Sequence, residues 1–471
     1  MSFIDIESLH NSIKGDHIID LLKKQGISTF EVYIPSTIKQ KYTERHRKQI
    51  ENHIYKKDQR IKNKKNKLVS KIDYLILGES LKQYLKHPKF NNIEIIDEKW
   101  YPINLAWKKI THTKKPPAFL SSGCKLLKIQ LLNACQELDV RWGFILGKED
   151  IVACVDTDNE SKLINQALEC ATWVRYVDRT HTTMRLDPPN HPLLYPNMCI
   201  NSSGDAGKIK ARYALTMKEL TCISGIDKKN REKAHQHGIT QYDDKRLTCH
   251  MMGITGSKKR RIECILKANQ GSPHEYPVIK KIKSCSGDFF IDIETINIDD
   301  NVFIFMIGIG FYKNNKVEFV CLCADSLNMQ SERKILDDMM HLLEAENAKR
   351  LLHWGKFEVD VFKRAAERHN MNIFLPEYTW VDMAKKIEQA DYCPPGALTF
   401  SLKSFVPAMH ALGYINITWD SNCKSGQQAM TDAYNYYQNG GTLDDIIAYN
   451  RVDVISTMEI QRYLMTIGIF I

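Results

Sequence analysis

Two acids interrupt an apolar run in "GDFFIDIETINIDD" (287–300): Asp292 and Glu294. If the run is a strand, its period of two puts both side chains on one face. There the paired charges repel and lose hydration unless a cation compensates them. A divalent ion held by oxygen ligands is the natural compensation. Near the other end of the chain, "DDIIAYNRVDVISTMEI" (444–460) spaces Tyr449 and Asp453 four apart, on one face of a helix. Between them, "RLLHWGKFEVDVFKRAAERH" (350–369) reads as a short strand, a turn at Gly355 and an amphipathic helix. Glu358 stands at that helix start, where an acid also suits the dipole.

Together these residues resemble the DEDD exonucleases of the ribonuclease-H-like superfamily. Motif I is D-x-E, motif II follows a strand-to-helix turn, and motif III is Y-x-x-x-D. More closely, the region looks like the YprB-like ribonuclease-H-like domain, which carries "SLK" before a last long helix bearing "YN-x-x-DV". The matching segments are "TFSLKSFVPAMHALGY" (399–414) and "YNRVDVIST", and the resemblance covers about 290–465. It implies a mixed sheet flanked by helices and hydrolysis of phosphodiester bonds by two Mg²⁺ or Mn²⁺ ions roughly 3.5–4 Å apart. Asp292, Glu294, Glu358 and Asp453 would be ligands, and Tyr449 would orient or deprotonate the water. Motif II usually supplies Asp. Aligning "HWGKFE" with the family pattern selects Glu358, with Asp360 and Asp382 as alternatives. The implied activity is a 3′→5′ exonuclease on single-stranded DNA ends, linked to repair, recombination or replication. A ribonuclease, or a nucleic-acid-binding protein with decayed sites, are the rival readings.

A second constellation lies upstream. "KIDYLIL" followed by "IEIIDEKW", within 71–100, resembles the PD-(D/E)xK nucleases. The resemblance implies Asp73 and Asp97 as metal ligands and Lys99 beside the attacking water. Gln130 in "LLKIQLLNACQELD" is similar to the "QL-x-x-Y" helix of RecB-like nucleases, with Asn133 or Ala134 where Tyr is usual. Glu51 and His53 are candidates for the upstream acid or His. Cys124, Cys170 and Cys199 are too scattered for an iron–sulfur cluster, so none is expected. Between the two constellations, "MKELTCISGIDKKNREKAHQHGITQYDD" (217–244) resembles a helix–hairpin–helix, with Gly225 in the hairpin. "MGITGSKKRRIECIL" (252–266) repeats the pattern, with Gly256 before the basic helix start Lys258, Lys259 and Arg260. Such hairpins offer backbone N–H groups to phosphate, in a contact that weakens with salt. YprB-family proteins are known with this order of domains.

The elements that must position these groups are expected in an α/β multidomain chain, because 471 residues exceed one ordinary core. The expected division is a restriction-endonuclease-like α/β domain at 1–200, a small all-helical module at 208–270 and a ribonuclease-H-like domain at 285–471. "RLDPPNHPLLYPNMCINSSGDAG" (185–207) and "QGSPHEYP" (270–277) mark the edges by their turn-forming composition. The spacing predicts a long basic helix over 36–68, strands over 71–78 and 92–100, and a last helix from Asp444 to about Met465. The formal charge of +10 is uneven: residues 41–71 carry twelve Lys or Arg against three acids, which suits a polyanionic partner such as DNA or RNA. Thirteen cysteines without a C-x-x-C read as reduced thiols. No apolar run approaches the ~20 residues of a membrane span, and the N-terminus lacks a signal pattern. A soluble intracellular protein without a membrane partner is expected.

Overall fold

The computed structural model describes residues 3–25, 55–85, 90, 93–105, 125–146, 152–158, 161–202, 204–271, 285–298, 301–373, 378–419, 423 and 425–469. The chain divides into two compact units, Met1–Glu219 and Leu220–Ile471. Both are mixed α/β. Among the described residues no helix is long and apolar enough to cross a membrane.

The first unit contains β1 (Ile4–Asp5), α1 (His10–Lys14), α2 (Ile18–Lys24), β2 (Tyr55–Asn63), β3 (Leu68–Leu77), α3 (Gly78–Tyr84) and β4 (Trp100–Leu105). It continues with α4 (Lys125–Leu138), β5 (Trp142–Leu146), β6 (Val152–Asp156), α5 (Ser161–Thr180) and α6 (Gly204–Thr216). The sheet order is β1-β3-β4-β5-β6, with β2 on β3. Strand β4 runs parallel to β5, and α4 lies between them in the chain and packs on β3 and β4.

Two sequence expectations need correcting here. Of the basic helix expected over 36–68, residues 36–54 lie outside the described residues, and Tyr55–Asn63 is a strand antiparallel to β3. Its less exposed positions are Tyr55, Gln59, Ile61 and Asn63, while Lys56, Asp58, Arg60 and Lys62 face water. This period of two is hard to see through so many lysines. The strand expected over 92–100 begins only at Trp100. The backbone before it is spent on α3: Glu79 N donates to Asp97 O and Gly78 N to Lys99 O.

The second unit opens with α7 (Lys228–Gln236) and α8 (Ser257–Gln270). A sheet and its helices follow: β7 (Asp288–Ile298), β8 (Asn301–Lys313), β9 (Lys316–Cys323), α9 (Met329–Ala345), β10 (Arg350–His353) and α10 (Phe357–His369). The chain ends with β11 (Thr379–Asp382), α11 (Met383–Gln389), α12 (Leu402–Ala411), α13 (Gly426–Asn439) and α14 (Asp444–Thr466). The sheet order is β11-β10-β7-β8-β9, in which β7, β8 and β9 form an antiparallel meander and β10 and β11 run parallel to β7.

Strand β7 is central, and its two faces do different work. Phe289, Ile291 and Ile293 join one core with Leu336, Met339 and Leu343 of α9 and Phe362 of α10. Phe290, on the opposite face, belongs to the core that contains Val454 and Met458 of α14. Each such side chain contributes about 1.5–3 kcal/mol by leaving water. Asp292 and Glu294 follow Phe290 at intervals of two, so the alternation of a buried strand turns both acids toward α14. Close approach of α14 requires glycine on β8. A β-carbon at Gly310 would stand 2.6 Å from Val454 Cγ1 and 2.7 Å from Met458 Sδ. At the start of β7, buried Asp288 accepts from Arg350 on β10 and from Gln461 on α14, tying three elements together.

The helical segment from Leu220 shares the second of these cores. Leu220, Ile223, Ile226, Ile262 and Ile265 cluster with Met383, Ile387, Phe405 and Met409. Ser224 N donates to Leu398 O at 3.0 Å, and Asn269 exchanges hydrogen bonds with Ala397 O and Gly396 N.

Candidate functional site

Asp292 and Glu294 on β7 and Asp453 on α14 each present a carboxylate oxygen, and these three atoms lie within 4.8 Å of one another. Glu294 and Asp453 are buried and Asp292 is partly buried. Tyr449, one turn before Asp453, and Glu358, in the first turn of α10, line the same cavity of about 310 Å³. Phe357, Gln427 and Met430 complete part of its wall. Three elements far apart in sequence therefore converge on one point. The donors are all carboxylate oxygens, the set a hard divalent cation prefers. Glu358 Oε2 is buried without a hydrogen-bond partner and stands 3.7 Å from His353 Nδ1. An oxygen left free beside three other carboxylates fits an open ligand position.

The electrostatics record the cost of bringing bare acids together. Burial, then the charges of Asp453, Glu294 and Glu358, holds the Asp292 carboxyl well above the ordinary range. Burial and Asp453 push Glu294 up to about 8, against the opposing pull of Lys403. Burial also raises Asp453 to about 6, although Lys403, the Trp419 indole and the Tyr449 hydroxyl act the other way. The Tyr449 phenol is pushed far above its usual value, by burial first and then by the same carboxylates.

The alternatives to Glu358 are engaged elsewhere. Asp360 lies 3.5 Å from Lys356 on the surface of α10. Asp382 caps α11, accepting from Lys385 N at 3.0 Å and from Gly355 N at 3.2 Å. Three residues of the site were not singled out from the sequence. Asn450 is fully buried and donates to Asp292 Oδ2 at 2.7 Å. Trp419 donates its indole N–H to Asp453 Oδ1 at 3.0 Å, and Lys403 Nζ lies 3.5 Å from that oxygen. Signals for two of them were in view, because Lys403 is the lysine of "SLK" and Asn450 the second residue of "YN-x-x-DV".

The upstream candidates do not meet in this way. Asp73 lies on β3, where Oδ2 accepts from Leu105 N at 2.8 Å. Asp97 pairs with Lys82 at 2.9 Å, and Lys99 with Asp139 at 2.7 Å. The register explains the separation. Lys99 stands across from Gly78, five residues beyond Asp73, or about 16 Å along a strand. Gln130 does approach Asp73, through Asn104: Asn104 donates to Gln130 Oε1 and accepts from Asp73 N. The residue at the centre of that network is an amide, where a metal site needs a second carboxylate. Among the described residues, the Asp292 group is the one acidic or thiol–imidazole cluster compact enough for a metal. Glu51, His53 and Cys124 lie outside the described residues.

In the helical segment, Gly225 and Gly256 both adopt positive φ, +97° and +72°, which glycine alone takes without strain. Lys258 Nζ bonds Gly225 O at 3.1 Å, and Lys259 lies 3.6 Å from Glu263. Arg260 is committed to a fork on Asp391, with Gln389 O as a further acceptor, and Arg261 binds Glu388. The guanidinium of Arg260 thus fastens α8 to the end of α11, while its side chain stays 48% exposed.

No curated protein matches the chain in sequence. The family model described as RNase_H superfamily matches residues 289–465, the span from β7 through nearly all of α14. The match supports a ribonuclease-H-like fold for the C-terminal part of the chain, whose central strand carries part of an acidic cluster suited to a divalent metal.

Proposed function

We propose that the chain is a metal-dependent nuclease that removes nucleotides from the 3′ ends of single-stranded DNA, with its chemistry in the C-terminal domain. The observation that carries this reading is the meeting of Asp292, Glu294, Glu358 and Asp453 with Tyr449 around one cavity. Two Mg²⁺ or Mn²⁺ ions held by these carboxylates would supply Lewis-acid activation of water and stabilisation of the leaving oxygen.

The chain's own residues do the rest. Asn450 fixes the orientation of Asp292. Burial and the neighbouring carboxylates disfavour the phenolate of Tyr449 while no metal is bound, and its hydroxyl is proposed to orient the attacking water. Phe357, 51% exposed at the cavity wall, offers a ring on which a terminal base can stack regardless of its identity. A cavity of about 310 Å³ is at the small end of ligand pockets and suits a frayed end better than a duplex. The positive net charge favours a polyanion, and the backbone at Gly256 with Lys258 and Lys259 is proposed to hold the phosphates of the same strand. The upstream unit is proposed to be restriction-endonuclease-like in fold. Hydrolysis is not assigned to it, because Asp73 has neither Asp97 nor Lys99 beside it. A place in repair, recombination or replication is part of the same proposal and rests on the family resemblance.

End-labelled single-stranded DNA and RNA of one sequence test the proposal. Mg²⁺-dependent shortening of the DNA from its 3′ end, lost in Asp292→Asn, is expected. Shortening of RNA alone would overturn the DNA assignment, and shortening that survives in Asp292→Asn would overturn the site. Binding without cleavage, with either metal, would restore the decayed-site reading.

A further inference from the structure

Lys403 is a cation already resident at the edge of the carboxylate cluster. Its Nζ lies 3.6 Å from the centre of the Trp419 ring, 4.0 Å from the centre of the Tyr449 ring and 3.5 Å from Asp453 Oδ1. Trp419 donates its indole N–H to the same Asp453 oxygen. An ordinary surface lysine pairing with an acid does not lie over two aromatic faces. Each face attracts the ammonium through its quadrupole, so its position is specified from three directions. The residue it approaches, Asp453, is one of the three whose carboxylates each offer an oxygen within 4.8 Å of the others. Without a cation nearby, those carboxylates would repel. The Lys403 side chain is nevertheless 42% exposed, which leaves it room to swing outward.

We propose that Lys403 is a positioning residue, a built-in cation that keeps Asp453 and its neighbouring carboxylates assembled before metal arrives and competes with a divalent ion for Asp453. This rests on the reading of the cluster as a metal site. The two roles have opposite signs on removal of the charge. The metal-free cluster loses its compensating cation and becomes less stable, while an incoming ion no longer has to displace one and binds more tightly. A lysine that merely fills space between Trp419 and Tyr449 would produce the first effect without the second.

Mn²⁺ titration calorimetry and metal-free thermal melting, on wild type, Lys403→Met and Lys403→Arg, separate these cases. Lys403→Gln replaces Lys403→Met if the latter fails to fold. The neutral variant is expected to melt lower without metal and to bind Mn²⁺ roughly 5- to 150-fold more tightly, the usual span of coupling between two sites. Lys403→Arg, which keeps the charge, is expected near wild type in both. Mn²⁺ affinity that is unchanged or weaker in the neutral variant would overturn the role of Lys403 and leave the metal site standing. No Mn²⁺ uptake by wild type would overturn the metal site itself, and this inference with it.

Discussion

Gly308 on β8 leaves the space that the Asn450 carboxamide fills, and the other end of that carboxamide holds Asp292. A β-carbon at 308 would overlap Asn450 Oδ1 and also crowd Val454 Cγ2 at 3.1 Å. Gly308→Ala therefore has to displace α14, which carries Tyr449 and Asp453. Overpacking of this kind costs about 1–3 kcal/mol. We expect a lower melting temperature together with weaker Mn²⁺ binding, and a variant unchanged in both would show that α14 has slack the packing does not suggest.

Asn450→Ala removes the donor that orients Asp292 without touching a carboxylate. Loss of an outer partner of a metal ligand typically lowers affinity or rate about 10- to 100-fold. Calorimetric titration with Mn²⁺ should show a drop in that range, and a drop below about threefold would mean that β7 alone orients the acid.

Lys99→Ala separates the two constellations. Lys99 is paired with Asp139 at the surface, well along β3 from Asp73. The variant is expected to hydrolyse end-labelled DNA at the wild-type rate. A loss as large as that of Asp292→Asn would return catalysis to the upstream unit.

The raised carboxyl groups make metal-free stability depend on pH with a definite sign. Asp453, at about 6, and Glu294, at about 8, hold protons in the folded state that the unfolded chain releases near pH 4. Their contribution is fully present below about pH 4 and is lost as pH rises from there through about 6 for Asp453 and about 8 for Glu294. The metal-free protein should therefore melt progressively lower across this window, and a divalent ion should raise the melting temperature more at pH 8 than at pH 6. Because ligands must lose their protons to bind, Mn²⁺ uptake should release protons measurable in weak buffer. A metal-induced shift that is the same at both pH values would refute this account.

Phe357→Ala tests the exposed ring beside Glu358. Stacking of one base on an aromatic ring is worth about 1–3 kcal/mol. The variant should raise KM for single-stranded DNA by roughly 5- to 150-fold at that energy, with little change of metal affinity. An unaltered KM would place the terminal base elsewhere.

The acids on β7 and the Tyr449–Asp453 pair were legible in the sequence because their spacing equals the periods of the elements that carry them. Glu358 was legible from a strand, a glycine turn and an amphipathic helix in succession. Asn450 was not, because a polar residue on a helix faces the core only if something opposite makes room, and Gly308 is 142 positions away. Lys403 stood inside a quoted motif, yet its meaning lies in two rings that the fold brings to it. The D-x-K upstream shows the converse case. Its residue types were right, but the register of β3 on β4 sets it one end of a strand away from Asp73. In β2 the lysines that suggested a helix lie largely on exposed positions of a strand.

The common core of the segment from Leu220 and the sheet domain bears on how the chain can be divided or inherited. Written linearly, the hairpin helices look like a detachable bead that could be exchanged between proteins. Ile262, Ile265 and Met252 nevertheless share their apolar cluster with Ile387, Phe405 and Met409, and Arg260 and Arg261 clasp Asp391 and Glu388 across the seam. A chain cleaved between 271 and 285 should remain one particle, because the segment from Leu220 stays packed on the sheet domain. A fragment beginning at 285 would carry a bared greasy face and tend to self-associate. Its modularity is a property of its text and not of its thermodynamics.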